Sequence, residues 1–258
     1  VPNVNVLHAR LGHLSFSKMK HMNLFDSGAL KDFSCESCIL AKHHKLPFND
    51  SHSRAPAVFN LLHVDLRGPY RIPTITGCKY FLTILDDHSR VTWTHLLVTK
   101  DQVAHILAGF LEYVSNHFGT TVKNIRSDNG TEILKEYCTS MFLSKGIIHQ
   151  RSLPGVPQQN GRIERKHRHL LETARAIRIH GNLPMKFWGD CLLSATYLIN
   201  LMPSSVLSWQ IPYEILMKKP PDITTLRVIG CLCFAAVKTS DKFAPRAKKC
   251  ILLGYPYA

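Results

Sequence analysis

The order of apolar runs between residues 57 and 202 constrains the fold of this chain more than any other feature. Three such runs, Val58–Asp65, Lys79–Asp86 and Arg90–Val98, predict β-strands. A short polar turn joins the second and third runs, which favours an antiparallel meander. Apolar residues then recur at helical spacing from Val103 to Phe118, so the pattern predicts a helix after the third strand.

The same alternation continues along the chain. Val122–Ser127 and Ile147–Gln150 predict a fourth and a fifth strand, with a helix over Ile133–Lys145 between them. This order predicts an α/β fold with a mixed five-stranded sheet and flanking helices, in which the first and fourth strands are neighbours. The Pro- and Gly-containing segment Leu153–Gln159 predicts a loop, and Asn160 is a suitable N-cap for a long helix after it.

The composition changes along the chain and suggests four regions. A further helix, Met185–Leu201, ends before Pro203, and a strand-like run, Leu226–Val237, follows. The N-terminal part holds clustered His and Cys with too few apolar residues for a core of its own. The chain begins at Val1, so we expect a fragment of a longer protein. The predicted regions are a small N-terminal unit at residues 1–48, a linker at 49–56, a main domain at 57–202 and a truncated C-terminal extension at 203–258.

The charge balance indicates a polyanionic partner. The 258 residues include 32 Lys and Arg against 18 Asp and Glu, a formal net charge of +14. A globular fold does not need this surplus, and nucleic acid is the partner that best explains it. No run of about 18 apolar residues occurs, which argues against a membrane partner. Reduced core thiols, rather than a disulfide framework, are expected for Cys78, Cys138, Cys191 and Cys250. Cys231 and Cys233 share a face of a strand-like run and are expected to be structural.

Two histidines and a Cys-x-x-Cys pair carry the first candidate chemistry. Four residues separate His8 from His13, and 21 residues separate His13 from Cys35, which pairs with Cys38. Imidazole nitrogens and thiolates at these spacings suit tetrahedral Zn²⁺, and the metal would hold a segment that burial alone cannot fold. Ordinary surface histidines are the alternative interpretation. Further histidines of this segment, which are alternative ligands, are His21, His43 and His44.

Three acids carry the second candidate chemistry. Asp65 ends the first predicted strand, Asp128 ends the fourth, and Glu164 lies near the start of the long helix. Neighbouring strands would bring the two aspartates together, and hard carboxylate oxygens favour Mg²⁺ or Mn²⁺. Two such ions can activate an attacking oxygen and stabilise a leaving one in phosphodiester displacement. Each acid also has a structural explanation, a turn for the aspartates and the helix dipole for Glu164.

Basic residues surround Glu164. From Arg151 to Arg178 there are seven Lys and Arg against two Glu. A solvated helix face is the alternative, but beside the acids these residues would supply phosphate contacts. Asp86 and Asp87 are interpreted as a solvated turn, with Arg90 as a possible partner, and are not assigned to metal. The residues predicted to contact DNA, two of them in a second basic cluster, are Arg162, Arg165, Lys166, Arg168, Lys248 and Lys249.

Several motifs resemble the integrase region of plant copia-type retrotransposon polyproteins. "LHARLGH" with "CESC" resembles the zinc-binding pre-integrase domain, whereas "HVDLRGPY", "SDNGTE" and "PQQNGRIERKHR" resemble the three acidic motifs of integrases. Later segments, "FWGDCLLSATYLIN", "PYEIL", "LRVIGCLCFA" and "PRAKKCILLGY", are similar to the region after the core. The chain departs from the family pattern at Arg67, where Trp is usual, at Ile133, where an aromatic is usual, and at Val156, where Thr is common.

The resemblance implies a ribonuclease H-like core preceded by a small helical zinc-binding domain. It implies Zn²⁺ on His8, His13, Cys35 and Cys38, and catalytic Mg²⁺ or Mn²⁺ on Asp65, Asp128 and Glu164. It further implies 3′-end processing and strand transfer into double-stranded DNA by a homo-multimer, in the nucleus after a cytoplasmic virus-like particle stage. A catalytically decayed or domesticated DNA-binding relic, and a ribonuclease H-like nuclease that cuts without joining, are the alternatives. The intact acids favour an enzyme, and the zinc module favours joining.

Overall fold

The computed structural model of the protein describes residues 4–22, 35–42, 54–128, 130, 133, 136–151 and 161–255. The predicted loop Leu153–Gln159, the predicted cap Asn160 and most of the predicted linker lie outside these residues. The helices are α1 (Val4–Arg10), α2 (Phe16–Lys20), α3 (Glu36–Lys42), α4 (Gln102–Phe118), α5 (Glu136–Ser144), α6 (Gly161–His180), α7 (Trp188–Asn200) and α8 (Pro212–Met217), and the strands are β1 (Leu61–Arg67), β2 (Tyr80–Asp86), β3 (Thr92–Leu97), β4 (Asn124–Ser127), β5 (Ile148–Arg151), β6 (Leu232–Ala236) and β7 (Ala247–Ile251).

A mixed five-stranded sheet forms the centre of the protein. Its strand order is β3-β2-β1-β4-β5. β1, β2 and β3 form the predicted antiparallel meander, whereas β4 and β5 run parallel to β1. The predicted mixed five-stranded sheet with flanking helices is confirmed, and so is the neighbourhood of the first and fourth strands.

The first strand is displaced from its predicted bounds. Residues 57–60 form a turn, in which Phe59 has a positive φ of 60°, so β1 begins only at Leu61. β1 then continues two residues past Asp65 to Arg67 and stops before Gly68, whose φ of 130° suits glycine. A Cβ at Gly68 would lie 2.6 Å from the Lys79 carbonyl oxygen. Asp65 therefore lies inside the strand, not at its end.

Alternate side chains of β1 contact two different layers of helices. Leu62 and Val64 belong to a buried core that includes α4 and α5 residues such as Leu107 and Phe142. His63 and Asp65 lie on the opposite face of the strand, because successive side chains alternate. α6 and α7 cover that face and form a second core. The sheet thus places two polar side chains of β1 under α6.

The N-terminal segment packs on this second core. Leu11, Leu14 and Met19 are buried in one cluster with α6 and α7 residues. Gly12 has a φ of 64°, and a Cβ there would lie 2.8 Å from the Leu198 side chain in α7, so the close approach requires glycine. The segment has too few apolar residues for its own core, as predicted, and it shares the core of the main domain.

The C-terminal extension differs from its predicted form. Only β6 of the strand-like run Leu226–Val237 is a strand, and it pairs antiparallel with β7, which the sequence pattern did not predict. Cys250 in β7 is half-buried and lies opposite Cys233, so it is not the buried core thiol that we expected. None of the eight cysteines, all of which lie in the described part of the chain, forms a disulfide. Among the described residues, no helix combines the length and the apolar character needed to cross a membrane.

Candidate metal centres and nucleic-acid interface

The four predicted zinc ligands come together in the structure. The ligand atoms of His8, His13, Cys35 and Cys38 all lie within 4.8 Å of one another. His8 Nε2 lies 3.3 Å from Cys38 Sγ, and His13 Nδ1 lies 3.3 Å from Cys35 Sγ. Two nitrogens and two sulfurs at these separations fit the donor set and the size of a closed tetrahedral Zn²⁺ site.

Local structure at the end of α1 orients both histidines. The His13 amide donates to the His8 carbonyl at 2.8 Å, and His13 takes a positive φ of 62°. His8 Nδ1 lies 3.0 Å from the Leu14 carbonyl oxygen. Because a carbonyl only accepts, this contact places the proton on Nδ1 and leaves the Nε2 lone pair facing Cys38.

The electrostatics of this cluster favour neutral imidazoles. Burial, followed by the charge of Lys42, lowers the pKa of His8 to about 4. Burial, followed by the charge of His8, lowers the pKa of His13 to about 3. Both side chains are therefore neutral at pH 7, which is the form that binds a metal. Burial raises the pKa of the Cys38 thiol to about 11, and a coordinated Zn²⁺ would deprotonate it.

Of the alternative zinc ligands, His21 is not part of this cluster. His21 is exposed, and its ring stacks on Trp209 at a centroid distance of 3.8 Å. His43 and His44 lie outside the described residues.

The strand register brings two of the predicted catalytic acids to one end of the sheet. β1 and β4 are parallel, and Val64 pairs with Ser127. Asp65 follows Val64 and Asp128 follows Ser127, so the two aspartates directly follow the same pair of neighbouring residues. Asp65 is buried, with 5% of its surface exposed, whereas Asp128 is exposed. The Asp128 carboxylate accepts from the Gly130 amide at 3.0 Å, which is the turn contact of the structural alternative.

Asp65 is already in contact with basic groups. Its Oδ2 lies 3.3 Å from Arg67 Nε and 3.3 Å from His167 Nδ1. Arg67 Nε also donates to His167 Nδ1 at 3.1 Å. The guanidinium shows that this carboxylate can be neutralised by a cation, which is a requirement for a metal ligand.

Glu164 lies in the first turn of α6, one turn before His167. Its side chain is exposed. Within the described part of the chain, the His/Cys cluster is the one group of three or more potential ligands gathered this closely. The fold therefore brings the elements that carry the three acids together, but not the three carboxylates themselves. Their roles as metal ligands stay predictions.

The interpretation of Asp86 and Asp87 as a solvated turn is wrong. Both residues are 0% exposed. Asp86 accepts from the Phe59 amide at 2.8 Å and from the Ser89 hydroxyl at 2.6 Å. Asp87 accepts from His63 at 2.9 Å and pairs with Arg90 and Arg162. β1, the residues before it and α6 cover this turn, which a local pattern cannot show.

The predicted DNA contacts fall into two groups. Arg165 and Arg168 in α6 and Lys248 and Lys249 in β7 are exposed and accessible to phosphates. Arg162 instead has only 11% of its side chain exposed and pairs with Asp87. Lys166 is half-buried, and burial followed by the charge of Lys18 lowers its pKa to about 7. These two residues are less suited to direct phosphate contact than the exposed ones.

Comparisons with known proteins connect these sites to a family. A family model described as the GAG-pre-integrase domain matches residues 2–43. The retrovirus-related Pol polyprotein from transposon TNT 1-94 of Nicotiana tabacum is 35% identical over 270 aligned residues, which cover 98% of this chain and 20% of that protein. The Pol polyproteins from transposons RE2 and RE1 of Arabidopsis thaliana are 32% and 31% identical over 96% of this chain and 17% of each protein.

The chain is similar over almost its whole length to the Pol polyproteins of plant retrotransposons, and it spans about a fifth of their length. The predicted resemblance is thereby confirmed. Among solved structures, the crystal structure of the catalytic core domain of BIV integrase matches with a TM-score of 0.46 and 20% identity, covering 62% of this chain and 94% of that chain.

Sequence reasoning missed the polar contacts under α6. His63 stands two residues before Asp65 and therefore on the same face of β1, which was a usable signal. Asp87 and Arg162 are 75 residues apart, and no local pattern pairs them. The contact of His167 with Asp65 was equally invisible, because it depends on how α6 crosses the sheet.

Proposed function

We propose that this region of Pol is an integrase that joins the 3′ ends of element DNA to a target duplex by divalent-metal-dependent strand transfer. The β1–β4 register carries this proposal, because it brings Asp65 and Asp128 to neighbouring positions at one end of the sheet. α6 supplies Glu164 and packs on β1, with His167 against Asp65. Family relationship and a net charge of +14 support a DNA substrate.

Asp65, Asp128 and Glu164 would hold the catalytic ions. Mg²⁺ or Mn²⁺ would there supply Lewis acidity to the attacking and the leaving oxygens. In strand transfer, the 3′-hydroxyl oxygen of the element forms a bond to a target phosphorus, and the bond from that phosphorus to the target's 3′-oxygen breaks. The exposed Arg165 and Arg168 lie on the same helix as Glu164 and would hold the phosphates.

The His/Cys cluster would hold a structural Zn²⁺ that completes the N-terminal segment. Its four donors leave no coordination position for a substrate. Binding to two element ends and to a target further suggests a homo-multimer on double-stranded DNA. We place this activity in the nucleus, after a cytoplasmic virus-like particle stage, on the basis of the family relationship.

An oligonucleotide assay tests the proposal. Wild-type protein with Mn²⁺ or Mg²⁺ should produce both trimmed element ends and joined products on a second duplex. Glu164→Gln should abolish both products and keep DNA binding, because a neutral amide lacks the negative charge with which the carboxylate binds the ions. The matched control is Glu136→Gln, which changes another exposed acid in the first turn of a helix. The proposal would be refuted if wild-type protein gave no more joined product than Glu164→Gln with either metal.

One observation favours a DNA-binding relic as the second candidate. The Arg67 guanidinium lies on Asp65, at a position where it can take the place of a cation. A relic would bind DNA with the same salt dependence as an enzyme and give neither product. Trimming without joining would instead identify a ribonuclease H-like nuclease.

A further inference from the structure

We propose that Asp87 is a positioning residue whose buried carboxylate holds α6, with Glu164, against β1, with Asp65. The significance for catalysis rests on the proposed function, whereas the positioning itself can be measured without metal or substrate. Asp87 lies in the turn after β2 and has no place among the predicted ligands or DNA contacts.

Asp87 is the common acceptor of donors from four parts of the chain. Its Oδ1 accepts from His63 Nε2 at 2.9 Å, from Arg90 Nη1 at 3.3 Å and from Arg162 Nη1. Its Oδ2 accepts from the Ala55 amide at 2.7 Å. One carboxylate therefore connects β1, its own turn, α6 and the chain before β1.

The residues that contact Asp87 stand beside the predicted metal ligands. His63 precedes Asp65 by two positions and shares its face of β1. Arg162 precedes Glu164 by two positions in the first turn of α6. Farther along the same helix, His167 Nδ1 accepts from Arg67 Nε of β1 at 3.1 Å. α6 is thus attached to β1 at two points, and Glu164 lies between them.

The charges make this attachment strong. Burial alone would raise the pKa of Asp87, but the hydrogen bonds from His63 and Arg162 and the charge of Arg90 hold the pKa well below its usual range. Arg90 and Arg162 have only 11% of their side chains exposed. Without the Asp87 carboxylate, the buried guanidinium groups of Arg90 and Arg162 would lose the negative charge that they share. Their uncompensated positive charges would then disfavour the packed position of α6.

Asp86 provides a matched control. It is the adjacent carboxylate, is equally buried, and also accepts several hydrogen bonds. Its carboxylate accepts from the Phe59 amide and from the amide and hydroxyl of Ser89, which belong to the turns before β1 and after β2 and not to α6. Asp86→Asn should therefore destabilise the turn without releasing the helix.

Amide hydrogen exchange in the full chain, free of divalent metal other than zinc, tests the positioning. Asp87→Asn should speed exchange at residues 164–170 of α6 by about tenfold or more relative to β2, since breaking a buried ion pair is costly. Arg162→Met should give the same local effect and serves if Asp87→Asn does not fold. Asp86→Asn should leave the ratio of the exchange rates of α6 and β2 at its wild-type value, because this variant does not release the helix. Equal responses of Asp86→Asn and Asp87→Asn would overturn the inference.

Mn²⁺ binding, followed by electron paramagnetic resonance, tests the consequence for the site. Asp87→Asn should weaken Mn²⁺ binding by about tenfold, whereas Asp86→Asn should keep the wild-type affinity. If wild type binds Mn²⁺ as weakly as Asp65→Asn does, the proposed function fails, and the positioning role is decided by the exchange data alone.

If Asp65→Asn binds Mn²⁺ more weakly than wild type but Asp87→Asn binds it as tightly, the positioning role is refuted and the proposed function stands.

Discussion

The two candidate metal sites of this protein differ in how far the fold assembles them. The soft site of His8, His13, Cys35 and Cys38 has all four donor atoms within 4.8 Å of one another. The hard site has one buried acid, Asp65, which contacts basic groups, and two exposed acids. Neutral imidazoles and thiols can approach without repulsion, whereas carboxylates repel until cations neutralise them. Ligand charge therefore explains why the four neutral donors lie together without a metal whereas the three carboxylates do not.

Removal of zinc should have the largest effect on stability, and this effect should be confined to the soft site and the N-terminal segment. Cys35→Ser, or chelation of the wild type, should destabilise the N-terminal segment by on the order of 5 kcal/mol, because structural Zn²⁺ contributes directly to folding. Circular dichroism and hydrogen exchange at α1 and α3 would show the loss, with Cys233→Ser as the control. An unchanged spectrum after complete zinc removal would contradict a stabilising role for the metal.

Loss of an acid should affect chemistry and not folding. Asp65→Asn should reduce strand transfer by about a thousandfold, near 4 kcal/mol, because the amide no longer neutralises a catalytic cation. The midpoint of thermal unfolding should change little, since Arg67 Nε keeps its hydrogen bond to His167 Nδ1. Asp222→Asn, on an exposed turn, is the control. Retention of transfer by Asp65→Asn would remove this residue from the site.

Acid pH should weaken the soft site of the zinc-free protein. The pKa values of His8 and His13 in the fold, about 4 and about 3, lie below the ordinary 6.5 of the unfolded chain. The unfolded state therefore takes up protons first, so stability is complete above pH 6.5 and falls as the pH drops towards 3. Allowing for solvent screening, the pair should lose on the order of 2 kcal/mol. Urea unfolding should show a shallower pH dependence for His13→Gln, and an identical slope would count against this assignment.

Removal of the Arg67 guanidinium should increase the metal affinity of the hard site. Arg67→Met should strengthen Mn²⁺ binding by about tenfold, about 1.4 kcal/mol, because the metal no longer competes with the guanidinium for Asp65. Isothermal titration calorimetry at constant ionic strength would measure the change. Arg168→Met removes an exposed positive charge on α6 and is the control. An affinity equal to or below that of wild type would mean that Arg67 does not oppose the metal.

Particular elements show which parts of the structure could be predicted. The buried strands β2 and β3 and the amphipathic α4 lie within a few residues of their predicted bounds, because their apolar periodicity is local. β7 was missed because its run Ala247–Ile251 is rich in lysine and largely exposed, so it carries no apolar alternation. β1 was displaced because Phe59, although apolar and buried, occupies a turn.

The sequence by itself determined the order of elements from β1 to α7, the two kinds of ligand chemistry and the basic character, since these depend on residue type and near neighbours. Only the tertiary structure decided that Asp86 and Asp87 are buried, that Arg162 pairs with a carboxylate 75 residues away, and that the N-terminal segment shares the α6 and α7 core. These features arise from contacts between distant parts of the chain. The energy of a buried charge depends on what covers it, and its neighbours in sequence do not contain that information.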